Sequence, residues 1–309
     1  TPRGLYRHDP STDAWTRYGK KDGLPTEHIT ALQAHEDTLW VGTSRGLASA
    51  RLRDGALTVC ADGPTDRYVT GLAHAEGRLY VGSADGLVAR DAGGLYHDVD
   101  GGGRVLSLTV GAGGMWVGAD DGAHVVPAGG TAMEPVWPEG PAYDAVEAGG
   151  AVWLATDDGL VRRDVASGAA SVVVGGPVRP TSLALSADGA TVWVGSPAGL
   201  TSLDPTTGEV AAAPIVAEAV RSIALRTDGG LWVGTTNGLT GVDANAVAAR
   251  HEAYVVRNPL VEDSSAHITY DGDYIWFSNW AKSVNGAIVR HDRRDGTWRR
   301  FTRETILGS

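Results

Sequence analysis

Leu39-Trp40-Val41-Gly42-Thr43-Ser44-Arg45-Gly46-Leu47 is the stretch whose reading decides the fold. It returns as Leu79-Tyr80-Val81-Gly82-Ser83-Ala84-Asp85-Gly86-Leu87, and further copies centre on Trp116, Trp153, Trp193, Trp232 and Trp276. The steps between these seven aromatic residues are 40, 36, 37, 40, 39 and 44 residues. Self-similarity at so even a period marks an internal repeat, in which each unit is one supersecondary motif stacked on its neighbours. The period has room for four short strands. In the second copy Val69 to Ala73 is apolar, Glu76-Gly77 turns the chain and Arg78 to Ser83 is the signature strand. Leu87 to Arg90 then runs back, and a weaker strand near Gly94 to Val99 leads to the next copy.

Each part of the signature has a physical role. The aromatic side chain presents a large flat face for packing between adjacent sheets. Gly42, Gly82, Gly118, Gly195 and Gly234 follow two residues later, where the missing side chain admits a neighbouring strand. Trp153 is followed by Ala155 instead, still small. Thr43, Ser83, Thr156, Ser196 and Thr235 are placed to tie their hydroxyls to the turn backbone. Asp85-Gly86, Asp121-Gly122, Asp158-Gly159 and Asn237-Gly238 are expected to form the hairpin turns. Asp9, Asp91, Asp164, Asp204 and Asp243 end the third strands, and Asp164 and Asp204 are expected to accept hydrogen bonds from the turn amides just ahead.

A chain of 309 residues usually splits into two cores, but a ring of small sheets reaches this size as one domain. The expected organisation is a single domain over 1–309, with an N-terminal hairpin and linker at 1–28 and seven repeats at 29–309. The formal net charge of −11 argues against nucleic acid as a partner, since a phosphate backbone demands a positive surface. No apolar run is long enough to insert in a membrane. The single cysteine, Cys60, excludes a disulfide framework and a cysteine-based zinc site. It lies in the alternating pattern of a strand. No metal or cofactor is expected, and the chain reads as a monomer. Its cysteine poverty suits either compartment, with an extracytoplasmic location favoured.

The pattern Leu-Trp-Val-Gly-Thr-x-x-Gly-Leu, followed by a third strand ending in Asp, resembles the two-component-regulator propeller repeat. Gly19-Lys20-Lys21-Asp22-Gly23-Leu24-Pro25 before Ile29 is similar to the inter-repeat linker of that family. The resemblance covers nearly the whole chain. It implies an all-β fold, a β-propeller of four-stranded antiparallel blades around a central channel. Seven signature strands make seven blades the expectation. The extra N-terminal pair, Gly4 to His8 and Ala14 to Tyr18, either closes a ring beside the last blade or packs outside it. An eight-blade ring with one blade incomplete is the alternative. The family is known for sensor ectodomains that bind ligands or drive association, and its motif carries no catalytic residues.

In such a fold the residues just before each first strand gather at one mouth of the channel. These include Glu27, His28, Arg67, Tyr68, Arg104, Tyr143, Asp144, Arg179, Arg221 and His267, of which all but Glu27 and Asp144 are candidate ligand-binding residues. Four arginines and two histidines in an acidic protein suggest a basic mouth that binds an anionic small molecule or an acidic peptide, because a guanidinium grips carboxylate or phosphate with two parallel bonds. The alternative is that these arginines pair with nearby carboxylates such as Asp66, Asp144, Glu139 or Glu218.

The seventh copy departs from the rest. Ile275-Trp276-Phe277-Ser278-Asn279-Trp280 replaces the Val-Gly-Thr ending, and its hairpin loop runs on to Gly286. Trp280 and Lys282 are therefore added to the candidate ligand-binding set. Trp276-Phe277 and Asn285-Gly286-Ala287-Ile288-Val289-Arg290 also resemble one blade of the streptogramin B lyases, which implies metal-dependent elimination. That chemistry pairs a histidine with a glutamate. His267 is available, but no glutamate stands at a matching position. An enzyme of lyase or isomerase type would use His267 and Arg221. A third reading is a structural repeat domain of a larger sensor.

Overall fold

The computed structural model describes residues 4–9, 14–53, 56–226, 229–236, 238–242, 265–270, 274–279, 288–292 and 298–301. Among them every extended element is a β-strand in an antiparallel sheet, and the helical content is one 3-10 turn, Lys20–Asp22. No helix is long and apolar enough to cross a membrane. The chain divides into two compact units, Thr1–Ala145 and Val146–Ser309.

In the first unit β1 (Leu5–Asp9) and β2 (Ala14–Tyr18) form a two-stranded hairpin. Three four-stranded sheets follow. The first holds β3 (Ile29–His35), β4 (Thr38–Thr43), β5 (Gly46–Arg53) and β6 (Ala56–Thr65). The second holds β7 (Val69–Ala75), β8 (Arg78–Ser83), β9 (Gly86–Arg90) and β10 (Tyr96–Val99). The third holds β11 (Val105–Gly111), β12 (Gly114–Ala119), β13 (Gly122–Pro127) and β14 (Glu134–Trp137). In each, sequential strands are spatial neighbours, so every connection is a hairpin. The N-terminal hairpin belongs with the first sheet: Leu5 and Leu24 share a core with Ile29, Val41, Ala48 and Ala50.

The fourth sheet holds β15 (Ala142–Ala148), β16 (Ala151–Thr156), β17 (Gly159–Asp164) and β18 (Ala170–Val172), and the division between units falls inside its first strand. In the second unit, β19 (Ser182–Leu185), β20 (Val192–Ser196) and β21 (Gly199–Leu203) make a three-stranded sheet. Two isolated bridges, Leu200 to Val216 and Leu203 to Val210, stand where its fourth strand was expected. β22 (Val220–Leu225), β23 (Leu231–Thr235) and β24 (Gly238–Val242) form the next sheet. β25 (Ser265–Tyr270), β26 (Tyr274–Asn279), β27 (Ile288–Asp292) and β28 (Trp298–Phe301) form the last.

The signature strands are the core. β12 and β16 are buried along their whole length, and Trp153 is fully enclosed, its Nε1 donating to the Ala148 carbonyl at 3.2 Å. Within the first unit, Trp40 and Leu47 pack against Val69, Leu79, Val81 and Val88 of the following sheet. The signature glycines make the close approach possible. A Cβ on Gly42 would lie 2.6 Å from Val69 Cγ1, and a Cβ on Gly82 would lie 2.5 Å from Val105 Cγ1. Gly195 stands in the same relation to Val220 in the second unit, at 2.5 Å.

The hydroxyls act as expected. Thr43 Oγ1 donates to the Gly46 carbonyl at 2.6 Å and accepts from the Arg45 amide at 3.2 Å, and Ser83 repeats both bonds with Gly86 and Asp85. Thr156 and Ser196 donate to the Gly159 and Gly199 carbonyls. Asp204 and Asp164 behave as expected: Asp204 Oδ1 accepts from the Thr206 and Thr207 amides, and Asp164 Oδ1 from the Ser167 amide. The hairpin reading is corrected by one residue. Ser83 pairs with Gly86, so the loop is Ala84-Asp85 and the glycine closes it, taking the positive φ of 117° that a side chain resists.

Candidate functional site

The residues before the first strands are held by their backbones. The carbonyls of His28, Tyr68 and Arg104 accept from the amides of Ser44, Ala84 and Asp120, the first residues of the hairpin loops, at 3.1, 3.0 and 3.0 Å. Their side chains therefore leave from one register position. We call it the lead position. In the second unit Ala219 makes the same bond with Thr236, at 3.0 Å.

The sequence-predicted residues do not all stand there. Five first strands, β3, β7, β11, β22 and β25, begin with a register shift: Ile29 pairs with Thr43 but Ala31 with Gly42, and Val69 pairs with Ser83 but Gly71 with Gly82. Val220 pairs with Thr235 and Ser222 with Gly234, so Arg221 is the inserted residue, two positions beyond the lead residue Ala219. His267 pairs with Ser278 just after the same shift. Arg67 precedes the lead position by one. Tyr143 follows Ala142, whose carbonyl seats on Gly118. His28, Tyr68 and Arg104 share the lead position in the first unit. By count alone Arg179 stands at the equivalent place in the second unit, three residues before Ser182, which pairs with Gly195, while Pro197 there has no amide to make the bond. The side chain of His267, and Trp280 and Lys282 entirely, lie outside the described residues.

The charges divide into paired and unpaired groups. Arg67 Nη2 lies 3.3 Å from Asp98 Oδ1, not against Asp66, which pairs with Arg45 at 3.1 Å. Arg179 Nε lies 3.4 Å from Asp157 Oδ1. Its φ of 51° is strained for a side-chain-bearing residue, more so ahead of Pro180. Arg104 and Arg221 are exposed and form no ion pair with a described residue. The His28 ring meets Tyr68 edge to face at 6.2 Å, and burial lowers its pKa. Tyr68 itself is 40% exposed.

Arg67 also lines a cavity of about 400 Å³ with Gly63, Val88, Tyr96 and Asp98. Val88 supplies a buried apolar wall and Tyr96 an aromatic one. Arg90 lies 5.7 Å from the Tyr96 ring and 4.8 Å from the Trp40 ring, holding the aromatic wall by cation–π contact. Tyr96 and Asp98 were not among the residues expected from sequence. They lie on β10, the outer strand, and Asp98 meets Arg67 from 31 residues away. The cavity is an open depression on the surface, with one cation, one anion and an aromatic face.

Other titratable groups form pairs. His124 is 6% exposed and its Nε2 lies 3.0 Å from Asp121 Oδ1, which fastens a hairpin turn. Asp120 Oδ1 accepts from the Arg104 amide at 2.8 Å. His35 and His74 stack with centroids 3.4 Å apart. Among the described residues no three His, Cys, Asp or Glu side chains are grouped to hold a metal ion.

No family model matches the sequence, and no curated protein does. Solved structures do. The computationally designed Ika8 protein is 16% identical with a TM-score of 0.67, over 89% of this chain and 86% of that one. The extracellular domain assigned to the hybrid two component system BT3049 of B. thetaiotaomicron is 17% identical with a TM-score of 0.63, over 86% of this chain and 40% of that one. The extracellular domain assigned to the one component system BT4673 of the same organism is 17% identical with a TM-score of 0.63, over 89% of this chain and 46% of that one. The chain thus spans under half the length of those two extracellular domains. At such identities the likeness concerns the fold: an all-β array of antiparallel, mostly four-stranded sheets of propeller type.

Proposed function

We propose that the chain is a ligand-binding repeat module whose site in the first unit takes a small anionic molecule. The observation that carries this reading is the cavity of about 400 Å³ in which Arg67 stands beside Tyr96. Among the described residues Arg67 is paired with the largely exposed carboxylate of Asp98, whose side chain is 74% accessible. A carboxylate or phosphate entering the cavity exchanges one ion pair for another with bidentate geometry, while its apolar part rests on Val88 and Tyr96. Arg104, exposed and unpaired with any carboxylate of the described residues, adds positive potential to the same unit. The seven signature strands support a seven-blade propeller, and a single domain over the whole chain. The likeness to two extracellular domains supports a place outside the cytoplasm, as the sensing part of a larger protein. No arrangement of the described residues favours a lyase or isomerase.

The test is a thermal-shift titration with citrate, inorganic phosphate and a hexaglutamate peptide. A ligand at about one hundred times its Kd stabilises a fold by roughly 2.7 kcal/mol, well within detection. The reading expects citrate or phosphate to raise the Tm of the native chain, and Arg67→Ala to remove that rise. A rise with hexaglutamate alone would shift the site to an exposed acidic-peptide surface. No rise with any of the three discards anion binding.

A further inference from the structure

The N-terminal hairpin has a twin. Leu5-Tyr6-Arg7-His8-Asp9 of β1 matches Ile288-Val289-Arg290-His291-Asp292 of β27, and a tryptophan follows each, Trp15 and Trp298. The registers agree as well. Leu5 pairs with Tyr18 and His8 with Trp15, as Ile288 pairs with Phe301 and His291 with Trp298. The twin is the outer half of a sheet whose inner half is β25 and β26. Among the described residues β1 and β2 form a sheet of two strands, where every other sheet has three or four.

The face of the first sheet matches that half-sheet. Ile288 pairs with Ser278 and Leu47 with Gly42, each two residues after a signature tryptophan, so Leu5 is the counterpart of Leu47. Leu47 packs on the second sheet together with Trp40 of its signature strand. Leu5 packs on the first sheet with Ile29, Val41 and Ala48, and among the described residues no signature aromatic joins that cluster. The first strands show the same contrast. Leu32, Leu72 and Leu108 share one register position, paired with Val41, Val81 and Val117. Leu108 rests on the preceding sheet, 3.8 Å from where a Cβ on Gly71 would stand. Leu72 packs with Ala31 against the cluster of Trp40 and Val69. Leu32 is 48% exposed.

We propose that the face around Leu32, beside β1, is a docking site for the inner strand pair of a further repeat of this kind, beyond the seven of this chain. The pair consists of a first strand with a small residue where Ala31 and Gly71 stand, and a signature strand that sets its aromatic residue beside Leu5. It continues the seams that already join the first sheet to the second and the second to the third. Backbone pairing along β1 supplies affinity, while Leu32 and Leu5 select the small and the aromatic residue. The template is fixed in place: the Gly4 amide donates to the Glu27 carbonyl at 2.6 Å, and Arg17 Nη2 lies 2.8 Å from Glu27 Oε2. A lipid or small hydrophobe would cover Leu32 without adding a strand to the sheet of β1 and β2. The site does not involve Arg67 and needs no anion.

The test grafts Ser265–Gly286, the chain's own seventh inner pair with its loop, directly in front of Gly4. The graft keeps the loop length that joins β26 to β27. The grafted chain is expected to melt about 3 °C or more above the native one, and its β1 amides to exchange at least about tenfold more slowly. Leu32→Glu should abolish both effects in the grafted chain, while an exposed substitution costs the ungrafted chain little. A graft of the same composition in scrambled order should change neither. Melting and exchange both unchanged, a rise in Tm without slower exchange at β1, or equal effects from the scrambled graft overturns the proposal.

Discussion

Val69 Cγ1 stands 2.6 Å from the point where a Cβ on Gly42 would project, so the second sheet occupies the space that the first leaves empty. The same relation joins Val105 to Gly82 and Val220 to Gly195. The signature glycine is thus a socket for the leading apolar residue of the next repeat. Gly42→Ala forces the sheets apart and is expected to cost about 1–3 kcal/mol, as overpacking does. Urea denaturation measures it. A variant as stable as the native chain would show that the sheets give way freely.

The buried hydroxyls beside these glycines lock the hairpins. Thr43 is fully buried, and its Oγ1 serves both the Gly46 carbonyl and the Arg45 amide. Thr43→Val leaves both groups without that partner, with an expected loss of about 1–3 kcal/mol. A change in the denaturation midpoint at constant m-value is the readout.

Acid should weaken the outer loops before the core. Backbone amides donate to the carboxylates of Asp91, Asp164 and Asp204 and hold their pKa values below the ordinary carboxylate range. A folded pKa lowered in this way gives stability that is fully present above the unfolded value, near 4, and lost as pH falls through the folded one. Melting scans from pH 6 to pH 2 on the native chain and on Asp204→Ala should show a shallower acid limb in the variant. Parallel limbs would remove the carboxylate from the account.

The stacked pair His35 and His74 gives a second limb at higher pH. Burial and the neighbouring His35 ring lower the His74 pKa, with Glu36 acting in the opposite sense. The folded state therefore binds fewer protons than the unfolded chain. Stability is full above the unfolded histidine value, near 6.5, and falls as pH drops below it. His74→Gln is expected to flatten the change in Tm between pH 7.5 and pH 5. NMR titration of the two imidazoles would settle the order in which they protonate.

The sheets were legible because each repeat spends its most distinctive residues, Trp or Tyr and then Gly, on one strand at a constant spacing. The candidate site was less legible for three physical reasons. The register shift at the start of five of the first strands inserts a residue without a compositional mark, so Arg221 and Tyr68 read as equivalents and are not. The hairpin glycines look like turn residues, yet Gly86 pairs within the strand and Ala84-Asp85 makes the loop. Asp98 and Tyr96 sit on a short outer strand, the least periodic part of the repeat, and reach Arg67 only through tertiary structure. The last repeat, with Trp280 and Lys282, lies largely outside the described side chains.

The central claim is that Asp98 occupies Arg67 in place of a ligand anion, 3.3 Å from its guanidinium. Calorimetric titration of the Asp98→Asn chain with citrate tests it most directly. Freeing Arg67 from an exposed ion pair worth up to about 1 kcal/mol should tighten binding by about two- to five-fold over the native chain. An affinity unchanged or weakened by Asp98→Asn would contradict the account.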